Sequence, residues 1–405
     1  MTLAAASFPG YILFPGCGGK PAWKNKNRMR GHPNFEPFTS RLKDFIRSSS
    51  NLGADEGDDR FDPLALELFA LQFEHNLVYR KFCQSRDASP ESVEHWTQIP
   101  SVPTAAFKDV YLSCLPVDEC NSVFYSSGTT EHRPSRHFHN AASLTIYEAS
   151  LLTWFETKAL GLSPSTTGDW HLLILTPPSE QAPHSSLVHM FEIIRRRMRQ
   201  PASAFFGNTG PDAAWHLDFE SVIASLGAIR DSKSPAFILG TAFSFVHLLD
   251  HLAARKLRFK LPPGSRALET GGYKGRARSL PKSELHLLIR DFLGVPPEGI
   301  IGEYGMSELS SQAYDSPGHS KLQFPSLQVR PFHFPPWARA QIIAPETGDE
   351  VREGESGLVR VFDLANTYSV MAVQTEDIAV RHGTGFELLG RAAVAETRGC
   401  SLMNI

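Results

Sequence analysis

Tyr125-Ser126-Ser127-Gly128-Thr129-Thr130 sets hydroxyl side chains around a single glycine. A loop of that make-up can wrap an oligophosphate, because the glycine lets backbone N–H groups come close and the hydroxyls donate to phosphate oxygens. Taken alone, such a cluster is more often a plain turn. Its weight changes with two stretches far downstream, Glu303-Tyr304-Gly305-Met306-Ser307-Glu308 and Thr375-Glu376-Asp377. Carboxyls, hydroxyls and glycines in three separate places form one site only if the fold gathers them. The elements between them are therefore the next thing to read.

The chain has 405 residues, which suggests two or three lobes. It is 41% hydrophobic and 20% charged, ordinary for a globular protein. A net charge of −3 provides no global basic field to recruit nucleic acid or anionic lipid. Apolar runs such as Leu172-Leu173-Ile174-Leu175 fall far short of a membrane span. Tyr11-Ile12-Leu13-Phe14 is broken by Pro15 and Gly16 and lacks a basic flank, so no signal peptide is expected. Cys17, Cys83, Cys114, Cys120 and Cys400 are odd in number and contain no CxxC pair. That pattern reads as reduced thiols in a cytoplasmic protein. No HExxH and no His/Cys metal spacing occurs, and the absence of a GxSxG elbow disfavours a serine hydrolase. Gly16-Cys17-Gly18-Gly19-Lys20 has the wrong spacing for a Walker A loop, with Pro21 where Ser or Thr belongs.

Residues 1–52, rich in Gly, Pro, Asn and Ser with Lys20, Lys24, Lys26, Arg28 and Arg30, read as a loosely structured arm with a solvated charged face. Asp55 to Asp62 reads as an acidic linker. Asp62-Pro63 reads as N-cap and first residue of one amphipathic helix over 63–85, on the spacing of Leu66, Phe69, Phe73 and Leu77. Ser89-Pro90-Glu91 predicts a second, shorter helix. Pro100 and Pro103 force an extended segment, and Lys108 beyond it reads as a surface charge. From Ser122 onward short apolar runs alternate with helical stretches near 141–158, 185–199, 242–255 and 281–293. The runs end in Tyr125-Ser126, Thr176-Pro177, Gly240-Thr241, Thr270-Gly271-Gly272 and Glu303-Tyr304-Gly305. This is the pattern of an α/β domain with largely parallel sheets flanked by helices, in which ligands bind beyond the carboxyl ends of the strands. The expected division is an α/β core over 53–325, a small β-rich subdomain over 326–390 and a tail over 391–405.

Together these stretches resemble the adenylate-forming superfamily of acyl- and aryl-CoA ligases, and more closely its acyl-protein synthetase (LuxE) branch. The resemblance covers roughly 60–405 and leaves 1–52 outside. It is carried by Glu269-Thr270-Gly271-Gly272-Tyr273-Lys274-Gly275-Arg276, by Tyr304-Gly305-Met306-Ser307-Glu308-Leu309-Ser310-Ser311-Gln312, by Pro100 to Lys108, and by Arg398-Gly399-Cys400-Ser401-Leu402. It implies that a carboxylic acid attacks the α-phosphate of ATP to give acyl-AMP and pyrophosphate, a joining of two anions that needs screening by a metal and directed donors. By that resemblance Ser126, Ser127, Gly128, Thr129 and Thr130 match the phosphate loop. Tyr304, Gly305 and Ser307 fall on the motif facing adenine and the α-phosphate, and Glu308 on the position that holds Mg²⁺. Gly271 and Gly272 match a loop against the adenine, Asp377 the acid that grips the ribose hydroxyls, and Arg391 the arginine at the hinge.

Two departures stand out. The superfamily loop usually continues with Gly and then Lys, whereas here Glu131-His132-Arg133-Pro134-Ser135-Arg136 follows. Arg133 or Arg136 is the candidate cation, although a planar fork is not equivalent to a point charge. Ordinary CoA ligases also run on into a mobile lid carrying a catalytic lysine, so the lid is expected to be absent or vestigial. In its place the resemblance offers Cys400 as an acyl acceptor, with Arg391 and Arg398 favouring its thiolate. The acid implied is a fatty acid, with an aryl acid left open; Phe237, Ile238, Phe243, Phe245, Val246 and Leu249 line its path or are plain core. The partner implied is an acyl reductase or another acyl-acceptor protein. A lid-less ligase handing its adenylate to CoA or a carrier protein, and a non-catalytic nucleotide- or acyl-binding protein, remain as alternatives.

Overall fold

The computed structural model describes residues 35–49, 59–126, 133–160, 170–201, 204–211, 214–271, 280–315 and 330–392. Its helices are α1 (Glu36–Ser48), α2 (Phe61–His75), α3 (Leu77–Gln84), α4 (Ala106–Asp109), α5 (Ala141–Trp154), α6 (Ser186–Arg197), α7 (Phe219–Asp231), α8 (Ala242–Ala254) and α9 (Lys282–Leu293). Its strands begin with β1 (Val102–Pro103), β2 (Ser122–Tyr125), β3 (Arg136–His139), β4 (His171–Ile174), β5 (Gly207–Thr209), β6 (Trp215–Leu217) and β7 (Ala236–Thr241). They continue with β8 (Arg266–Thr270), β9 (Ile300–Tyr304), β10 (Ala313–Tyr314), β11 (Ala338–Ile343), β12 (Ser356–Asp363), β13 (Ala372–His382) and β14 (Gly385–Arg391). Among the described residues no helix is long and apolar enough to cross a membrane.

One sheet runs in the order β10-β9-β8-β7-β4, with β4, β7, β8 and β9 parallel and β10 antiparallel at the edge. Its strands are buried on both faces, so they read as unbroken apolar runs rather than alternating ones. The two-residue period still sorts them. Leu172, Ile174, Phe237, Leu239, Leu268 and Ile301 join the main core, in which α1, α2, α5 and α6 also pack. Leu173, Ile238, Ala267 and Ile300 join a second core with α7, α8 and α9. Side-chain caps fix where the crossover helices start: Asp218 accepts from Ser221 N at α7, and Thr241 accepts from Ser244 N at α8. All four parallel strands therefore end on one rim.

The second sheet has the order β1-β13-β12-β11, with β14 also on β13. It is antiparallel apart from β1, which runs parallel to β13 through Val102 and Pro103. The β-rich part expected over 326–390 thus borrows a strand from near residue 102. Gln72 of α2 also donates to Asn366 O and accepts from Met371 N, both at 2.9 Å, so this sheet is bolted to the α/β part.

Several local expectations change. Within the arm expected over 1–52, residues 36–48 are a helix whose Phe38, Leu42, Phe45 and Ile46 are buried, because they recur on one face. The single helix over 63–85 is two: Asn76 turns extended and its side chain caps α3 by accepting from Tyr79 N at 3.0 Å. Asp62 is not the cap of α2 but lies in its first turn, where it accepts from Trp96 N at 2.8 Å. Ser89-Pro90-Glu91 makes a turn closed by Val93 N on Ser89 O instead of a helix. The run Ser122–Tyr125 does not join the parallel sheet; β2 pairs antiparallel with β3, because the connection between them is too short for a crossover.

Candidate active site

The rim of the parallel sheet, the end of the β2–β3 hairpin and the second sheet meet at one place. Ser126 N donates to Ser135 O at 3.1 Å, and Ser135 N donates to the Ser126 hydroxyl at 2.9 Å, closing the ladder just before the hydroxyl-rich loop. Ser127, Gly128, Thr129 and Thr130 lie outside the described residues, as do Glu131, Gly272 and Cys400. Tyr125 N donates to His184 O at 2.8 Å, which ties the hairpin to the loop ahead of α6. The Ser307 hydroxyl donates to Tyr125 O at 3.0 Å and His137 Nδ1–H donates to Ser307 O at 2.8 Å. Burial lowers the His137 imidazole to about 4, so the ring is neutral at ordinary pH and its Nδ1 proton is committed to this carbonyl. Of the two candidate cations, Arg136 donates to Lys108 O at 3.3 Å, within the base of the hairpin.

β9 delivers Tyr304 to the same place. Its ring is buried among Phe332, Phe334 and Phe386, and its hydroxyl donates to Asp377 Oδ2 at 2.8 Å. The other oxygen, Asp377 Oδ1, accepts from Arg391 Nε at 3.1 Å. Asp377, midway along β13, and Arg391, the last residue of β14, are cross-strand partners, so their pairing follows from register. Arg391 is largely exposed and Asp377 is buried; the pair presents one carboxylate held from two sides with the guanidinium facing outward. Gly271 follows the last residue of β8 with φ +72°, a left-handed turn that favours glycine. At Gly305 the Glu303 carboxyl occupies the place of a Cβ, so any larger residue would push that side chain aside.

Glu308 is buried. Burial pushes its carboxyl above the ordinary value, against the Ser135 hydroxyl and the Arg391 charge, while Asp377 adds to the rise. Those neighbours bring the hairpin, the β9 loop and the second sheet around one acid. A carboxylate suits a hard divalent cation, which takes its remaining ligands from phosphate and water. Among the described residues no group of three or more His, Cys, Asp or Glu side chains could hold a metal by itself.

The loop carrying Ser307 and Glu308 is held by residues the sequence did not single out. Asp363, fully buried at the end of β12, accepts from Ser310 N and Ser311 N at 2.8 Å, from the Ser311 hydroxyl at 2.7 Å and from Ala365 N at 3.0 Å. Asn366 donates to Glu308 O at 2.8 Å and accepts from the Ser310 hydroxyl at 2.7 Å. Asp363-Leu364-Ala365-Asn366 is legible as a turn, but its partners lie more than fifty positions away in sequence. Replacing Asp363 by Ala strands three buried N–H groups. A loss of about 3–5 kcal/mol is expected in urea unfolding, with a parallel loss of activity. An unchanged midpoint would mean that other contacts hold the loop.

The rim therefore brings together Ser126, Gly271, Tyr304, Gly305, Ser307, Glu308, Asp377 and Arg391. The sequence profile described as "Acyl-protein synthetase, LuxE" matches residues 36–404. It begins at α1, earlier than the roughly 60–405 expected from motifs, because that helix belongs to the core. The long-chain-fatty-acid–luciferin-component ligase of Aliivibrio fischeri is 22% identical over 375 residues, 88% of this chain and 91% of that protein. The protein of the same description from Vibrio harveyi is 23% identical over 348 residues, 82% and 84% of the two chains. Among solved structures, 2-hydroxyisobutyryl-CoA ligase in its postadenylation state with 2-HIB-AMP superposes with a TM-score of 0.58 at 14% identity, covering 83% of this chain and 69% of that one. The same ligase in its thioesterification state gives 0.57 at 15%, with the same coverage. These two likenesses speak to the α/β architecture and to nothing finer. The match to the profile covers most of the chain and spans the hairpin, the β9 loop and the second sheet, and the chain belongs to the LuxE family of acyl-protein synthetases.

Proposed function

We propose that this chain is an ATP-dependent acyl-protein synthetase that activates a fatty acid and then carries the acyl group on its own Cys400. In the first step a carboxylate oxygen bonds to the α-phosphorus of ATP and the bond to the β-phosphate oxygen breaks, releasing pyrophosphate and leaving acyl-AMP. In the second the Cys400 thiolate bonds to the acyl carbon and AMP departs, giving a thioester for delivery to a partner such as an acyl reductase. The convergence of Ser126, Ser307, Glu308 and the Asp377–Arg391 pair on the rim of a parallel sheet carries this reading. The names of the two curated relatives support the choice of a fatty acid.

Each residue has a part that follows from its surroundings. The hairpin end and its hydroxyl-rich loop bind oligophosphate through hydroxyls and backbone N–H groups. Asp377, bonded to Arg391 on one side and to Tyr304 on the other, accepts from the ribose hydroxyls. Arg391, exposed beside it, lies next to the negative charge that builds on the phosphate. Glu308 would hold Mg²⁺, which when bound neutralises phosphate charge. Intact-protein mass spectrometry after incubation with ATP, Mg²⁺ and straight-chain fatty acids tests the whole sequence. The expected product is one added acyl group, removable by hydroxylamine; pyrophosphate release without any adduct would overturn the self-acylation step.

A further inference from the structure

Three polar side chains gather beneath the loop that carries Ser307 and Glu308, on the face of the parallel sheet that looks into the main core. Glu303 is the penultimate residue of β9, directly opposite Tyr314 on β10 and Thr270 on β8. The Thr270 hydroxyl donates to Glu303 Oε2. Glu303 Oε1 lies where a Gly305 Cβ would stand, so the carboxyl is tucked under the loop backbone. The Tyr314 hydroxyl and Gln312 Oε1 are buried and have no hydrogen-bond partner among the described residues. Gln312 Nε2 reaches the Tyr147 hydroxyl only at 3.5 Å. Buried polar groups are ordinarily hydrogen-bonded, so two unpartnered ones side by side mark a place for a polar group from outside the chain.

We propose that this cluster receives the carboxylate of the acid substrate, with the Glu303 side chain and the Tyr314 hydroxyl hydrogen-bonded to one of its oxygens. Such reception presupposes the acid-activating reaction proposed above. One carboxylate oxygen accepts two hydrogen bonds, and Glu303 and Tyr314 fill those places. The other oxygen stays free to attack phosphorus at the rim, a few residues along the same loop. The charge state of Glu303 then governs whether the acid binds. Its neighbours are Glu269 from β8, Tyr147 from α5 and Tyr314 from β10; Lys282 and His286 of α9 lie across the sheet and pair with Glu269 at 3.6 and 3.3 Å. Burial and the Glu269 charge push the Glu303 carboxyl up to about 7, with the Thr270 hydroxyl opposing. The protonated form donates to the incoming carboxylate, whereas the ionised form repels it.

The sign follows directly. A free fatty acid is ionised across the neutral range, so of the two carboxyl groups that meet only Glu303 titrates there. Pyrophosphate exchange at saturating ATP and Mg²⁺, with octanoate and tetradecanoate as probes, reads the KM for the acid against pH. That KM should rise about tenfold from about pH 6 to about pH 8 while kcat stays level. Glu303→Gln donates at every pH and should flatten the profile; Tyr314→Phe should raise KM severalfold without moving its midpoint. A wild-type KM independent of pH overturns the proposal without recourse to a variant, as does a folded Glu303→Gln that keeps the wild-type profile. Exchange absent with both acids would instead remove the acid-activating reading itself, so the two failures are distinguishable.

Discussion

A Cys400→Ser protein is expected to go on releasing pyrophosphate with a fatty acid and to carry no thioester-linked acyl group. The expected loss of hydroxylamine-labile label is more than about a hundredfold, because an unactivated hydroxyl is a far poorer nucleophile than a thiolate near neutral pH. The cysteines among the described residues are unsuited to take over. Cys83 and Cys114 are buried, and burial pushes the Cys83 thiol up to about 11 and that of Cys114 higher still. Cys120 is raised by burial too, and it sits 2.9 Å from the Tyr111 hydroxyl. A thiol so held stays protonated and is a weak acceptor. Intact-mass measurement of wild type and variant side by side checks the result. A labelled Cys400→Ser protein would move the acceptor elsewhere. Turnover of that variant on addition of CoA or a phosphopantetheine carrier would favour an external thiol as the natural recipient.

Glu308→Gln should lower kcat for pyrophosphate exchange by about 10²–10³-fold, the range seen when one preorganised electrostatic group is removed from an active site. The amide keeps the shape and loses the charge that a hard cation needs. Stability should not fall with it. Burial already disfavours the ionised carboxyl, so a neutral side chain of equal size relieves that penalty, and the melting temperature should stay level or rise. Activity and stability moving in opposite directions separates a site residue from a structural one. A variant with wild-type exchange at the same Mg²⁺ concentration would show that Glu308 has no part in holding the cation.

The α/β pattern was readable because the crossover helices and buried strands each leave a local mark. Strands β4, β7, β8 and β9 are short apolar runs, ending at Ile174, Thr241, Thr270 and Tyr304, and helices α5, α6, α8 and α9 start within a residue or two of their sequence-derived positions. What failed was a local cap inside an apolar run, a helix hidden by the composition around it, and anything set by a distant partner. Asn76 splits a helix whose apolar spacing runs straight through it, since a side-chain cap there wins over continuity. Residues 36–48 looked like part of a polar arm because the composition of the first fifty residues masks one amphipathic turn pattern. Asp363 carried no motif at all, and Glu303 stood at the head of one without a role of its own.

By itself, then, the chain spelled out its strand–helix alternation and the residue types of its site: Ser126, Gly271, Tyr304, Ser307, Glu308, Asp377 and Arg391 all stand in stretches whose chemistry is written locally. Only the tertiary structure decided that Asp377 is gripped by Tyr304 and Arg391, that Glu308 is buried beside them, and that Asp363 and Asn366 hold the loop between. Hydrogen bonds and burial depend on distance in space, and these contacts join strands of two different sheets. The same separation explains Glu303: nothing in Gly302-Glu303-Tyr304 says that the carboxyl faces inward, but the two-residue period of a buried strand turns it there, beside a tyrosine and a glutamine left in want of a partner.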